Sequence, residues 1–333
     1  MVAASVRVFR RGGTILCFHS IITPDLPAEG EAHVSAGAFS ALVRVARRVA
    51  EIVPLRELVT RHTRAQPTSG LTALTFDDAY AALHSTLKDL ISREGVPVTI
   101  FSVTDAATTG ASYWWDRIED LFPRLSADRW RAFEMACGVP EEYRRGQPRE
   151  YGPLRPFRQW LLAAYAGRWP LRFDSELASL EAEVGHRTLH RSMTFDELAE
   201  LAAMPEVELG VHTVSHPVLP LLPDVDLRQE IVTGYDALRE RFANVLPVLA
   251  VPFGLYDERT LRVAHRAGMM ASLTLAGRLV SGSNGECALP RCCITRSDTR
   301  VRLALRLLGV PDLVRAWSGC RPAPYPDLPS PTS

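Results

Sequence analysis

Short, nearly unbroken apolar runs alternate with longer segments of helical periodicity along most of the chain. The runs TILCFHSI (14–21), LTALTF (71–76), VTIFSV (98–103), VELGV (207–211), VLAVPF (248–253) and MASLTL (270–275) predict strands, and LPRCCI (289–294) is a further candidate. Runs without polar alternation are expected of parallel strands covered on both faces. Between them, residues 38–52 set Phe39, Leu42, Val43, Ala46, Val49 and Ile52 on one helical stripe. Arg44, Arg47 and Arg48 then fall on its solvated face. Segment 80–95 ends on Gly95, a C-capping residue. Segments 226–242 and 257–268 open on Asp226 and Asp257, suited to N-capping, and Gly268 stops the second. This repeated strand–helix order predicts an α/β fold with a parallel sheet, either a barrel or an open doubly wound sheet. In both, ligands bind beyond the carboxyl ends of the strands.

Residues 104–190 break the rhythm. They hold Trp114, Trp115, Trp130, Trp160 and Trp169, helical stretches, and the Arg/Pro/Gly-rich EEYRRGQPREYGPLRPFRQW. The segment predicts a mostly helical insertion between two core strands. It either covers the site as a lid or cleft wall, or extends the fold away from the chemistry. The Pro-rich 319–333 is expected to be disordered, leaving 1–318 as one catalytic domain.

Lys+Arg and Asp+Glu balance at 38 each, so overall charge offers nucleic acid or an anionic membrane no general attraction. The N-terminal apolar stretch is broken by Arg7, Arg10 and Arg11, and no run reaches the ~18–20 apolar residues of a membrane span. A cytoplasmic protein is the expectation. Cys17, Cys137, Cys287, Cys292, Cys293 and Cys320 contain no C-x-x-C pair and are expected to be mostly reduced, buried residues.

The stretch ALTFDDAY (73–80) runs a buried-looking strand into two adjacent carboxylates, Asp77 and Asp78. Such charges repel, and burying them without partners costs several kcal/mol. A partner is offered by VELGVHTVSHPVLPLL (207–222), where His212 and His216 follow another strand end. Two imidazoles and one carboxylate suit Zn²⁺ or a similar divalent ion with open positions. Asp78 would be the third ligand, and Asp77 would take a proton from the water that such an ion activates. Each motif alone has a simpler reading, a helix N-cap for the aspartates and coincidence for the histidines; their joint position at strand ends favours the metal site. In LAVPFGLYDE (249–258), Pro252, Phe253 and Gly254 make either an ordinary turn or a rigid loop lining the same mouth and contacting substrate.

Together these stretches resemble the polysaccharide deacetylase family, the carbohydrate esterases of family four. The motif T-F-D-D is matched by Thr75, Phe76, Asp77 and Asp78, and H-[ST]-x-x-H by His212, Thr213 and His216. The resemblance covers roughly residues 14–104 and 192–295. It implies a distorted (β/α) barrel, Asp77 as general base, Asp78, His212 and His216 as metal ligands, and removal of acetyl groups from N-acetylated sugars. The expected cofactor is a divalent metal, Zn first, with Co, Ni, Fe or Mn as other ions such donors take. The expected partner is an acetylated carbohydrate.

Two departures stand out. The third motif, R-x-P-[FY], has Ala250 in place of arginine, which resembles a subgroup with A-x-P-[FY]-G. Arg291 in LPRCC could supply the missing guanidinium to Asp77, or it could be an ordinary salt-bridge arginine. The late L-x-H motif that provides the general acid is not visible, and His265 reads as a surface or packing residue. His19, in ILCFHSI, is a candidate acid or site-lining residue; a buried structural histidine is the alternative. Other functions remain in play: an O-acetyl esterase, a non-haem iron oxygenase, or a non-catalytic metal- and glycan-binding relative.

Overall fold

The structure, a computed structural model, describes residues 12–22, 32–144, 154–185, 190–281 and 288–310. Eight parallel strands build its centre: β1 (Thr14–Phe18), β2 (Leu71–Phe76), β3 (Val98–Ser102), β4 (Val207–Val211), β5 (Val245–Ala250), β6 (Ala271–Thr274), β7 (Ala288–Pro290) and β8 (Cys292–Cys293). Their order is β7-β6-β5-β4-β3-β2-β1-β8. The two outermost strands, β7 and β8, are consecutive in the chain and separated by Arg291 alone. Arg291 N–H bonds the Thr274 carbonyl on β6, while Ile294 N–H bonds the Cys17 carbonyl on β1, each at 2.8 Å. The sheet therefore curls into a nearly closed (β/α) barrel whose seam is one residue wide. The barrel is distorted at β2: Glu51–Ile52 pairs with its N-terminal half, and β3 pairs with it only at Thr75 and Phe76.

The alternation of side chains along each strand sorts residues into two layers. Leu16, Phe18, Leu74, Phe76, Ile100, Leu209, Val211 and Leu249 face outward into the main core under the helices. Ile15, Ala73, Phe101, Val248, Ala250, Leu273 and Leu289 fill the barrel interior. By the same parity Cys17, Asp77, His212, Arg291 and Cys293 point inward, near the carboxyl ends of their strands. Gly210 makes this packing fit: opposite Phe101 in register, it has no Cβ, which would stand 2.3 Å from the Phe101 ring.

The surrounding helices include α1 (Ala36–Val49), α2 (Leu55–Thr63), α3 (Ala82–Glu94), α4 (Thr104–Thr109), α5 (Trp114–Leu121), α6 (Ala127–Ala136), α7 (Glu141–Arg144), α8 (Arg155–Tyr165), α9 (Asp174–Val184), α10 (Phe195–Ala202), α11 (Asp224–Arg239), α12 (Glu258–Arg266) and α13 (Arg300–Leu307). Gly95 ends α3 in the left-handed conformation, and Asp257 caps α12 by accepting from Thr260 N–H at 2.7 Å. The start of α11 differs from expectation. It follows Pro223, so Asp224 and Asp226 lie in its first turn, where they meet the positive end of the helix dipole instead of capping it. Three expected strands also end differently. The run 14–21 breaks at His19, with Ser20–Ile22 pairing to His33–Ser35. The run 248–253 belongs to a strand that stops at Ala250, because Pro252–Gly254 forms a 3₁₀ turn with Phe253 at φ 57°. The run 289–294 is split by Arg291.

The insertion is helical, as the sequence predicts, and carries its own core of Trp130, Phe133, Phe157, Trp160, Phe173 and Leu177. The Pro-rich 319–333 lies outside the described residues. None of the described cysteines, Cys17, Cys137, Cys292 and Cys293, is in a disulfide; Cys287 and Cys320 lie outside them. Among the described residues no helix is long and apolar enough to cross a membrane.

Candidate active site

Neighbouring residues of an extended strand point to opposite faces, so Asp77 and Asp78 should diverge. They converge because the chain turns sharply after β2. Asp78 and Ala79 adopt φ 65° and 48°, in the left-handed region that non-glycine residues enter at a cost. Tyr113 helps hold the turn by donating to the Asp78 carbonyl at 2.6 Å. The histidine loop shows the same feature, with Thr213 at φ 68° and His216 at φ 58°. Thr213 Oγ1 accepts from His216 N–H at 2.9 Å. Positive φ at three residues of the two motifs, and at Ala79 beside them, marks backbone whose side-chain directions are over-determined by the fold.

The Asp78, His212 and His216 donor atoms lie within 4.8 Å of one another. Asp78 Oδ1 is 3.5 Å from Nε2 of both histidines. His212 Nδ1 donates to the Ala250 carbonyl at 2.8 Å, which aims Nε2 at Asp78. Ala250 therefore serves the site through its backbone. Asp78 Oδ1 and His216 Nδ1 are buried without a hydrogen-bond partner. Burial and the neighbouring His212 push the His216 imidazole down to about 3, so it stays neutral and able to ligate. An orphaned carboxylate oxygen between two imidazoles is the donor set a divalent ion takes, and these residues fit such an ion.

Asp77 has different partners. Arg291 grips it in a fork, Nη1 to Oδ1 and Nη2 to Oδ2, both at 2.6 Å. Arg291 itself is fully buried, hydrogen-bonded to Thr75 Oγ1 and stacked over Phe101 at 5.6 Å. Burial alone would raise the Asp77 carboxyl; the Arg291 guanidinium, with His212, holds it well below the usual carboxylate range. Cys17 Sγ donates to Asp77 Oδ2 at 3.4 Å. His19 lines the same cavity, and its pKa stands at about 9: burial works against protonation, but a hydrogen bond with Cys293 and the Asp78 and Asp77 charges outweigh it.

The cavity, of about 390 Å³, is lined by these groups and by the insertion, whose α5 supplies Trp114, Trp115, Asp116 and Glu119 and whose α8 supplies Arg158 and Leu162. Of the two placements considered for the insertion, it takes the one beside the site. Trp115 packs on His216 at 4.8 Å and donates through Nε1 to Tyr80 OH, which donates to Asp116 Oδ2 at 2.8 Å. Burial pushes the Asp116 carboxyl well above the usual range. Phe253 lies edge-on to His216 at 4.6 Å. Pro252 and Gly254 form the turn that presents it; a Cβ on Gly254 would meet Leu275 at 2.8 Å. His265 is exposed on α12 and takes no part.

Sequence reasoning missed Glu230. It is buried on the inner stripe of α11, and its carboxylate accepts from Val214 N–H (3.0 Å), Ser215 N–H (2.9 Å), Ser215 Oγ (2.6 Å) and Arg168 (2.9 Å). It thus anchors the loop between the two histidines. The signal was an acidic residue among Leu227, Ile231 and Leu238 on a buried helix face.

The family model for polysaccharide deacetylases matches residues 178–272, a span that includes His212, His216 and the Pro252–Gly254 turn. None of the curated proteins matches the sequence significantly. Among solved structures, the Streptococcus pyogenes deacetylase PplD in complex with acetate is 16% identical, with a TM-score of 0.53 over 90% of this chain and 99% of that one. IcaB from Ammonifex degensii is 15% identical, TM-score 0.57, over 90% and 97%. A de-N-acetylase from Aggregatibacter actinomycetemcomitans is 13% identical, TM-score 0.55, over 89% and 99%. At such identity the likeness is one of fold.

Proposed function

We propose that this chain is a hydrolase of the polysaccharide deacetylase family, removing N-acetyl groups from an acetylated sugar with a divalent metal as cofactor. The family match and the fold support carbohydrate deacetylation. The observation that carries the finer reading is the pairing of two buried carboxylates with different partners. Asp78 stands among imidazoles, and Asp77 beside it is kept ionised by Arg291.

Asp78, His212 and His216 would hold the ion, Zn²⁺ in the first instance. Bound there, it supplies Lewis acidity for the water and the acetyl oxygen. Asp77 acts as general base and takes a proton from the attacking water. Arg291 is a positioning residue that fixes the carboxylate's orientation and charge. His19, protonated at neutral pH by its surroundings, donates a proton to the sugar nitrogen as the C–N bond breaks. Acetate and the amino sugar leave. Trp115 and Phe253 pack around His216 and present an apolar wall to the acetyl group.

The test is acetate release from a panel of N-acetyl and O-acetyl sugars by Zn²⁺-loaded protein, with Asp77→Asn alongside. Release from an N-acetyl sugar that falls at least about 10²-fold in the variant, at unchanged metal content, is expected. Release from O-acetyl sugars alone would replace the amide reading with an ester one.

A further inference from the structure

A second group of donor side chains converges at the barrel mouth. Cys17 on β1 and Cys293 on β8 are register partners across the seam, and both point inward. His19 lies two residues beyond Cys17 on the same parity. The Cys17 and Cys293 sulfurs and a ring nitrogen of His19 lie within 4.8 Å of one another. Tetrahedral coordination at ordinary Zn–S and Zn–N lengths sets such atoms about 3.5–3.8 Å apart, so small rotations suffice. His19 Nδ1 is buried with no hydrogen-bond partner. Cys17 is wholly buried and closes the base of the group, while His19 borders the cavity and gives an ion a route in.

The chemistry of this set differs from that of Asp78, His212 and His216. Two sulfurs and one imidazole select soft or borderline ions and disfavour Mg²⁺, Ca²⁺ and Mn²⁺. Cys292, between Arg291 and Cys293, points the other way into the outer core, so it does not compete.

We propose that Cys17, His19 and Cys293 form a second metal site, specific for a thiophilic divalent ion such as Zn²⁺ or Cd²⁺. On binding, two metal–sulfur bonds and one metal–nitrogen bond form, and the protons held by the two thiols and by the ligating nitrogen of His19 are released to solvent. The two thiolates neutralise the ion, so the loaded set, with His19 neutral, stands uncharged beside the Asp77–Arg291 pair. Cys17 then has no S–H to donate to Asp77, and His19 is engaged through its ring. Resting on the deacetylase reading, occupation of this site opposes turnover: a first equivalent of Zn²⁺ activates and an excess inhibits.

The test titrates the reduced full-length protein with Cd²⁺ and follows bound metal and ultraviolet thiolate-to-Cd²⁺ charge transfer together. The Asp78, His212 and His216 set contains no sulfur and is silent in that band. Expected are a second equivalent of bound Cd²⁺ and a charge-transfer band. Both are lost in Cys293→Ser and, as an independent variant, Cys17→Ala. Asp78→Asn keeps the band while losing the other equivalent. A single equivalent without the band, or a band that survives both cysteine variants, would overturn the proposal. Neither readout needs activity, so the result stands apart from the deacetylase reading. Relief of excess-Zn²⁺ inhibition in Cys293→Ser would then tie the site to turnover.

Discussion

Arg291→Ala removes the guanidinium that bonds both carboxylate oxygens of Asp77. The pair is joined by two hydrogen bonds of 2.6 Å, with the side chains 0% and 3% exposed. Removing one member of such a buried pair costs about 3–5 kcal/mol, because the remaining charge is left uncompensated. The carboxylate can escape part of that cost by taking up a proton. At 1.36 kcal/mol per unit, the same energy corresponds to a rise of about 2–4 units in the Asp77 pKa. The sign follows from linkage. In the wild type the folded pKa lies below the unfolded one, so the pair's stabilisation is complete above ~pH 4 and fades as pH falls through the folded value. In the variant the folded pKa is raised, so the deficit is largest near neutrality and shrinks in acid. Urea unfolding at pH 7 and pH 4, with the pH profile of acetate release, reads both effects. The expected variant is destabilised by about 3–5 kcal/mol at pH 7 and less at pH 4, with its acid limb shifted upward. Arg291→Lys, which keeps the charge and loses the fork, falls between. A variant within ~1 kcal/mol of wild type, with an unshifted acid limb, would refute the assignment of Arg291 to the base.

Glu230→Gln keeps the shape of the loop anchor but weakens its grip on Val214, Ser215 and Arg168; Zn²⁺ affinity by calorimetry should fall about 10–100-fold. Gly210→Ala drives a methyl into the Phe101 ring, 2.3 Å away, and should lower stability by about 1–3 kcal/mol in chemical denaturation. Trp115→Ala strips the ring that packs on His216; KM for the sugar should rise about tenfold with a smaller change in kcat, the mark of lost uniform binding.

The strand runs and the two paired-ligand motifs were legible because they depend on local chemistry. TFDD and H-T-x-x-H each follow an apolar run, and strand ends are where α/β folds gather their sites. Element ends were less legible, because capping and turn geometry outcompeted the pattern: Pro223 set the start of α11, and Pro252 the end of β5. The residues that the local pattern leaves open, or does not show, share one cause. Arg291, Cys17 and Cys293 meet only because the last strands pair with the first, a register set by barrel closure across more than two hundred residues of chain. Glu230 needed the face of α11 to be known before its carboxylate could be connected to the histidine loop. For Cys17, Arg291 and Cys293 the alternating parity of the closing strands acquires meaning only once the barrel's inside is defined.

The one-residue seam also orders events during synthesis. Asp77 leaves the ribosome more than two hundred residues before Arg291, and the strands on either side of Arg291 are what join the barrel's edges. Until that last segment emerges, the nascent chain holds an open sheet with two exposed margins and a carboxylate lacking its counter-ion. Closing the cylinder and giving Asp77 its counter-ion are thus one step.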